Sequence, residues 1–165
     1  MAKSTNDARR DSSQSARLDN IDRKLLGLLT EDATRSYTEL GKLVHLSAAA
    51  VHERVKHLKQ IGVIKQTVAT LDAAKIGRPF LAFVQVNTKL WAKTHPLVEL
   101  AALPAVEEMH TVTGEVAVLM KVRTRDAQDL EELLVKIHQM ESVESTRSLM
   151  VLSTYLERGP SPNLE

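Results

Sequence analysis

The chain has 165 residues, 43% of them hydrophobic and 26% charged, enough for a buried core and a solvated surface. The absence of cysteine excludes disulfides, thiolate metal sites and thiol catalysis, and an aromatic content of 3% excludes a stacking platform for single-stranded bases. The net charge of +1 conceals an asymmetry, because residues 1–78 hold 14 Lys and Arg against 9 Asp and Glu, and residues 79–165 the remaining 8 against 12. A basic module suited to an anionic polymer therefore precedes an acidic one. No apolar run approaches the ~18 residues of a membrane span, and the polar start carries no secretory core, so no membrane partner and a cytoplasmic location are expected.

Residues 1–17 are small and polar and read as a disordered arm. Asp19 can cap a helix to about Glu31 that turns Ile21, Leu25, Leu28 and Leu29 to one face. Ser36 and Glu39 have the spacing of a capping box and open a short helix with Leu40, Leu43 and Val44 inward. Ser47 caps a third helix, in which Val51, Val55, Leu58 and Ile61 form a stripe that Gly62 ends. Three helices within 18–62, the last two joined by His45-Leu46, read as a helix-turn-helix. Residues 63–71 are rich in β-branched side chains and are expected as a strand, and a linker with Gly77 and Pro79 follows, so that 63–78 is strand and linker.

The second half has another rhythm. A strand at 80–87 precedes a helix opened by Thr94-His95-Pro96, which carries Leu97, Leu100 and Ala101 and stops before Pro104. Strands at 106–112 and 116–123 flank the turn Thr113-Gly114-Glu115, where glycine supplies the positive φ of a hairpin connection. Asp126 caps a helix with Leu130, Leu133, Leu134 and Ile137 inward, and a last strand covers about 144–156. The order βαββαβ over 79–157 is the ferredoxin-like arrangement, with a tail at 158–165, and the fold class is α+β. The strands at 80–87 and 106–123 are apolar beyond the need of a half-solvated sheet, which points to a face buried between subunits.

The most informative string runs from Leu46-Ser47-Ala48-Ala49-Ala50-Val51 through Arg54-Val55 and Leu58 to Gly62-Val63-Ile64. A recognition helix needs a capped N-terminus, where phosphate is favoured, and small residues in its first turn so that its backbone can enter the major groove. Away from the apolar stripe lie His52, Lys56 and Lys59, flanked by Arg54 and His57; Lys and Arg neutralise phosphates, and His can bond a base edge. An amphipathic helix with a solvated basic face is the plainer reading, and the capped helix just before it tips the balance to DNA. His52 and His57 are five apart, about 140° out of register on a helix, which excludes the zinc-protease pattern. Asp19/Asp22 read as helix-start charge and Glu131/Glu132 as a solvated face. No phosphate-cradling glycine loop, nucleophile elbow or metal-ligand set appears, so neither catalysis nor a cofactor is expected.

These strings, with Leu18-Asp19, Asp22, Leu25-Leu26, Leu29, Arg35, Leu40, Val44 and Gly77, resemble the leucine-responsive regulatory protein (Lrp/AsnC) family. The second half adds Val112-Thr113-Gly114-Glu115 and Val143, Thr146, Ser148 and Val151-Leu152, so the resemblance covers about 18–156. It implies a transcription regulator that dimerises through the ferredoxin-like domain, assembles up to octamers and takes a small molecule, commonly an amino acid, between effector domains. Carried over by position, DNA contacts fall on Ser36, Tyr37, Thr38, Ser47, Ala48, Ala49, His52, Glu53, Arg54 and Lys56. An effector pocket falls on Thr113, Gly114 and Glu115, with the region of Val143 and Thr146 from a partner chain. Three departures from the family pattern stand out: Gln66-Thr67 replace glycine and an aromatic, Glu53 stands where a polar donor is frequent, and Ala117 replaces an aspartate of the turn. The expectation is therefore a nucleoid-associated regulator that binds roughly palindromic duplex DNA as a symmetric oligomer. An architectural DNA-wrapping protein without an effector is the alternative, and an enzyme carrying an accessory helix-turn-helix is a second rival.

Overall fold

The computed structural model describes residues 17–89 and 95–162. All but the last residue of the polar arm, and Thr94 with its expected cap, lie outside the described residues. The chain forms two compact units, Met1–Ala69 with Glu157–Glu165, and Thr70–Leu156.

Unit one contains α1 (Asn20–Glu31), α2 (Tyr37–Val44) and α3 (Ala48–Gln60). Each starts where a side-chain oxygen satisfies an otherwise orphaned N–H. Asp19 accepts from the Asp22 N–H at 2.7 Å, and Asp22 answers from its own carboxylate. Ser36 and Glu39 form the same reciprocal pair, and Ser47 Oγ accepts from the Ala50 N–H at 3.2 Å. Leu25, Leu40, Val44, Val51 and Val55 form the core, with Ile21, Leu28, Leu29, Leu46 and Ile64 packed against it. Each fully buried side chain of this kind contributes about 1.5–3 kcal/mol relative to exposure. Two expected core residues are exposed. Leu43 faces out because buried Gly41 turns the inner face of α2 toward Leu40, Gly41 and Val44, and Ile61 is the C-cap of α3 rather than part of its stripe.

Residues 63–71 form no strand. Their β-branched composition is real, but a strand needs a partner, and this segment pairs with none of the four strands of the sheet. Its ordered contacts are local: the Ile64 N–H donates to the Leu58 carbonyl at 3.1 Å, and the Ile64 side chain packs on the core of unit one.

Unit two runs β1 (Phe80–Thr88), α4 (His95–Ala101), β2 (Val106–Thr111), β3 (Val118–Thr124), α5 (Ala127–His138) and β4 (Val143–Met150). The sheet is antiparallel in the order β2-β3-β1-β4, with Val84 opposite Met120 and Ser148. This is the expected ferredoxin-like βαββαβ topology, and the whole chain is α+β. Ala82, Val84, Val86, Val118, Met120 and Val122 turn to one face and meet Leu100, Leu130, Leu133 and Ile137 from the helices. The other face is half-buried and mixed: Leu81, Phe83 and Leu119 lie among Lys121 and Arg123, and β2 exposes Glu107, Glu108 and His110. The expectation that the strands within 106–123 are apolar beyond the need of a half-solvated sheet is corrected accordingly. β3 begins two residues later than expected. β4 stops at Met150, short of the expected 156 and near the start of β1; just beyond it the Val151 N–H still reaches the Leu81 carbonyl at 3.0 Å. Among the described residues no helix is long and apolar enough to cross a membrane.

Candidate nucleic-acid interface and effector turn

The angle between α2 and α3 is set by a turn with no spare room. His45 closes α2 in the left-handed region (φ 57°), and the Leu46 N–H donates to the Gly41 carbonyl at 2.9 Å. A Cβ on Gly41 would stand 2.5 Å from the Leu46 carbonyl oxygen, so only glycine admits this approach. Val51, Val55 and Leu58 then bury one side of α3, which turns Ala48, Ala49, His52, Glu53 and Lys56 to solvent on the other. On that surface the Glu53 carboxylate lies between His52 Nδ1 at 3.4 Å and Lys56 Nζ at 3.8 Å. Tyr37, the first residue of α2, sets its ring 5.3 Å from that of His52, tilted by 53°. The α2 start and the α3 face thus form one surface.

Arg54 points the other way. Its Nη1 donates to Asp19 Oδ2 at 2.8 Å and Asp22 Oδ1 at 2.7 Å, tying α3 to the first turn of α1. The side chain is 34% exposed and that of Asp22 only 14%. Bonds from the Asp22 N–H and from Arg54 hold the Asp19 carboxyl below its ordinary range, and the two carboxylates raise the Arg54 guanidinium further.

In unit two, Thr113, Gly114 and Glu115 are exposed in one turn, with Gly114 at φ 120° and open space where a Cβ would stand. The turn is closed by the Val112 N–H on the Ala117 carbonyl at 3.1 Å. Asn87, at the end of β1, steadies it: its Oδ1 accepts from the Ala117 N–H at 3.1 Å while its Nδ2 donates to Ser145 Oγ on β4 at 3.4 Å. Thr146 lies beside His138, whose Nδ1 faces the Leu134 carbonyl at 2.9 Å and must donate there. In the neutral ring Nε2 is then the acceptor, and the Thr146 hydroxyl donates to it at 3.2 Å.

Residues 18–59 match the AsnC-type helix-turn-helix domain, and residues 81–161 match the Lrp/AsnC ligand binding domain. The chain is 32% identical to the HTH-type transcriptional regulator FL11 of Pyrococcus horikoshii over 145 residues, 88% of this chain and 96% of that protein. It is 31% identical to the regulatory protein AsnC of Escherichia coli over 148 residues, 88% of this chain and 97% of that protein. The structure of Escherichia coli AsnC superposes with a TM-score of 0.83 at 29% identity, covering 88% of this chain and 99% of that one. The chain belongs to the Lrp/AsnC family.

It is accordingly a helix-turn-helix transcription regulator with a ligand-binding domain, and its relatives are regulators, not enzymes. Among the residues that the family resemblance nominates, the fold brings Tyr37, Thr38, Ala48, Ala49, His52, Glu53 and Lys56 to the exposed side of α2 and α3. Ser36 and Ser47 are there as caps, with the Ser36 hydroxyl donating to Glu39. Arg54 is set apart, because its guanidinium is held by two carboxylates of α1. Val143, nominated with the effector region, is 6% exposed and belongs to the core of unit two. Ala117, expected within the strand at 116–123, precedes β3 and is 7% exposed. Gly41 and Asn87 were missed by sequence reasoning. A glycine four residues before the turn was the available signal for the first; nothing local announces the second. A cavity of about 370 Å³ in unit two is bordered by Arg123, Arg125 and Asp129. Arg125 pairs with Asp129 and Arg123 with Glu107, and Arg78, Glu132 and Lys136 also line the cavity. Among the described residues no group of three acidic or histidine side chains could hold a metal ion.

Proposed function

We propose that this regulator binds duplex DNA through α3, with residues 18–62 as the DNA-binding domain and 79–157 as the effector and oligomerisation domain. The observation that carries it is the capped α3, whose exposed side offers Ala48 and Ala49 at the first turn and His52 and Lys56 behind them. Lys56 neutralises phosphate, and His52, set beside Tyr37, reads a base edge. The protein acts in the cytoplasm on nucleoid DNA as a symmetric homodimer that assembles further, up to octamers, on roughly palindromic sites. Two surfaces support assembly. The outer face of β1 and β3 carries Leu81, Phe83 and Leu119, and residues 63–71 hold exposed Val68 and Leu71 and an unpaired β-prone backbone that the same segment of a second copy would satisfy. In gel-shift titrations at two salt concentrations, binding weakens steeply with salt. Lys56→Ala weakens it on every sequence, while His52→Ala costs about 1–3 kcal/mol on the preferred site alone. Binding that is independent of salt would defeat the reading.

The turn at Thr113–Glu115 is the proposed effector site, completed by the region of Thr146 on β4 of a partner chain. Ala117 favours a second reading, an architectural protein without an effector, because it leaves the ammonium of an amino acid no carboxylate where the family often has one. Burying an ammonium unpaired costs several kcal/mol. Calorimetric titration with the twenty amino acids is expected to show nothing tighter than ~1 mM, about −4.1 kcal/mol. A micromolar ligand lost in Glu115→Gln would return the effector role to the turn.

A further inference from the structure

The last described residues do not stay with the strand that precedes them. β4 is the last strand of unit two, which ends at Leu156, yet the described residues 157–162 group with unit one. Their contact is with α1, on a face separate from the Ile21, Leu25 and Leu28 stripe that packs the core. Arg23 Nη1 donates to the Pro162 carbonyl at 2.8 Å, a partly buried bond across 139 positions of sequence. One turn along the helix, a Cβ on Gly27 would lie 3.8 Å from the Pro162 ring. Leu26 shares this face and is 8% exposed although it is no member of the core cluster. A mid-helix glycine costs roughly 0.5–1 kcal/mol against alanine, and here its bare backbone is covered by the ring. The composition of the tail favours such docking, because Pro160 and Pro162 fix φ and lack an N–H, so the segment can neither extend β4 nor coil as a helix.

We propose that residues 157–162 are a strap docked in cis on the Arg23–Leu26–Gly27 face of α1, so that the DNA-binding unit is joined to the effector unit by chain at both of its ends. The strap holds the helix whose Asp19 and Asp22 hold Arg54 of α3. It therefore restrains the recognition helix at one remove.

The chain contains no cysteine, so a Gly27→Cys, Pro162→Cys variant of the full-length protein reports the contact without background. Mild oxidation is expected to give a fast-migrating single-chain band, beyond what either single-cysteine variant gives. A disulfide-linked dimer would assign the tail to a neighbouring copy and overturn docking in cis; no cross-link would overturn the docking itself. Amide exchange supplies a second test that needs no cysteine. In Arg23→Ala, and in a chain ended after Leu156, α1 amides are expected to exchange about tenfold faster, the scale of one hydrogen bond to a charged group, with β1 and β3 unchanged. Unaltered α1 exchange in both would overturn the proposal.

Discussion

The turn between α2 and α3 and the turn between β2 and β3 solve opposite problems. In the first, every atom is committed: His45 takes up left-handed backbone, Gly41 has a carbonyl where its Cβ would be, and Leu46 closes the hydrogen bond. In the second, Gly114 also has positive φ, but nothing lies within 4 Å of where its side chain would start, and Thr113 and Glu115 stand in solvent. A turn that aims a helix at a rigid duplex must not drift. A turn proposed to receive a small molecule must leave space, and this one is held at its base by Asn87. Positive φ alone does not distinguish these uses; the room around the glycine does.

The largest effect that tests this contrast is Gly41→Ala. The new methyl meets main-chain atoms that cannot swing aside, and the expected loss is about 3 kcal/mol by urea denaturation, with DNA binding falling alongside. Gly114→Ala meets only an unfavourable backbone angle in a turn free to relax, at a cost of about 1 kcal/mol and with DNA affinity unchanged. Equal losses at the two glycines would break the comparison.

Next in size is the division of labour between Arg54 and Lys56, two residues apart on α3. Arg54→Ala removes two charged hydrogen bonds to α1 and is expected to cost about 2 kcal/mol of stability while leaving the salt dependence of DNA binding unaltered. Lys56→Ala should change stability by no more than about 0.5 kcal/mol and lower the salt slope by about 1. A slope reduced by Arg54→Ala would return that side chain to the groove.

Why these assignments differ in legibility is a matter of range. The caps at Asp19, Ser36, Ser47 and Asp126 were readable because donor and acceptor lie within three residues. The alternation that buries Ala82, Val84 and Val86 was equally local. Residues 63–71 were misread because composition reports a preference for extended backbone and says nothing of whether a partner strand exists. Leu43 was misplaced because a buried glycine shifts a helix face without adding to its hydrophobic pattern. Arg54 looked like a groove residue from α3 alone, and its two acceptors are 35 and 32 positions away. Asn87 and the Pro162 contact were illegible for the same reason: their partners come together only in the fold.

The smallest effect concerns acid. Among the described residues, unit one holds three carboxyls below their ordinary range by bonds to their charged form. Asp19 takes them from the Asp22 N–H and Arg54, Asp32 from the Thr34 hydroxyl and N–H, and Glu39 from the Ser36 hydroxyl and N–H. Unit two has Glu108, bonded by Lys121 and His110, and Asp129, bonded by Arg125. A carboxyl lowered by folding binds its proton less readily in the folded chain than in the unfolded one. Its contribution is therefore complete above the unfolded value of roughly 4 and drains away as pH falls below it. In unit one Asp19 and Glu39 sit at helix starts, so acid weakens the caps that set α1 and α2, whereas in unit two Glu108 belongs to a surface network and only Asp129, paired with Arg125, lies in a first helical turn. Asp19→Asn and Glu39→Gln keep oxygen acceptors at both caps but no longer titrate. The double variant is expected to give a flatter fall in urea midpoint between pH 5 and pH 3 than the unaltered chain. Glu108→Gln should leave that fall nearly as steep. If Glu108→Gln flattens the acid limb as much as the double variant does, the acid sensitivity belongs to the sheet and not to the helix starts.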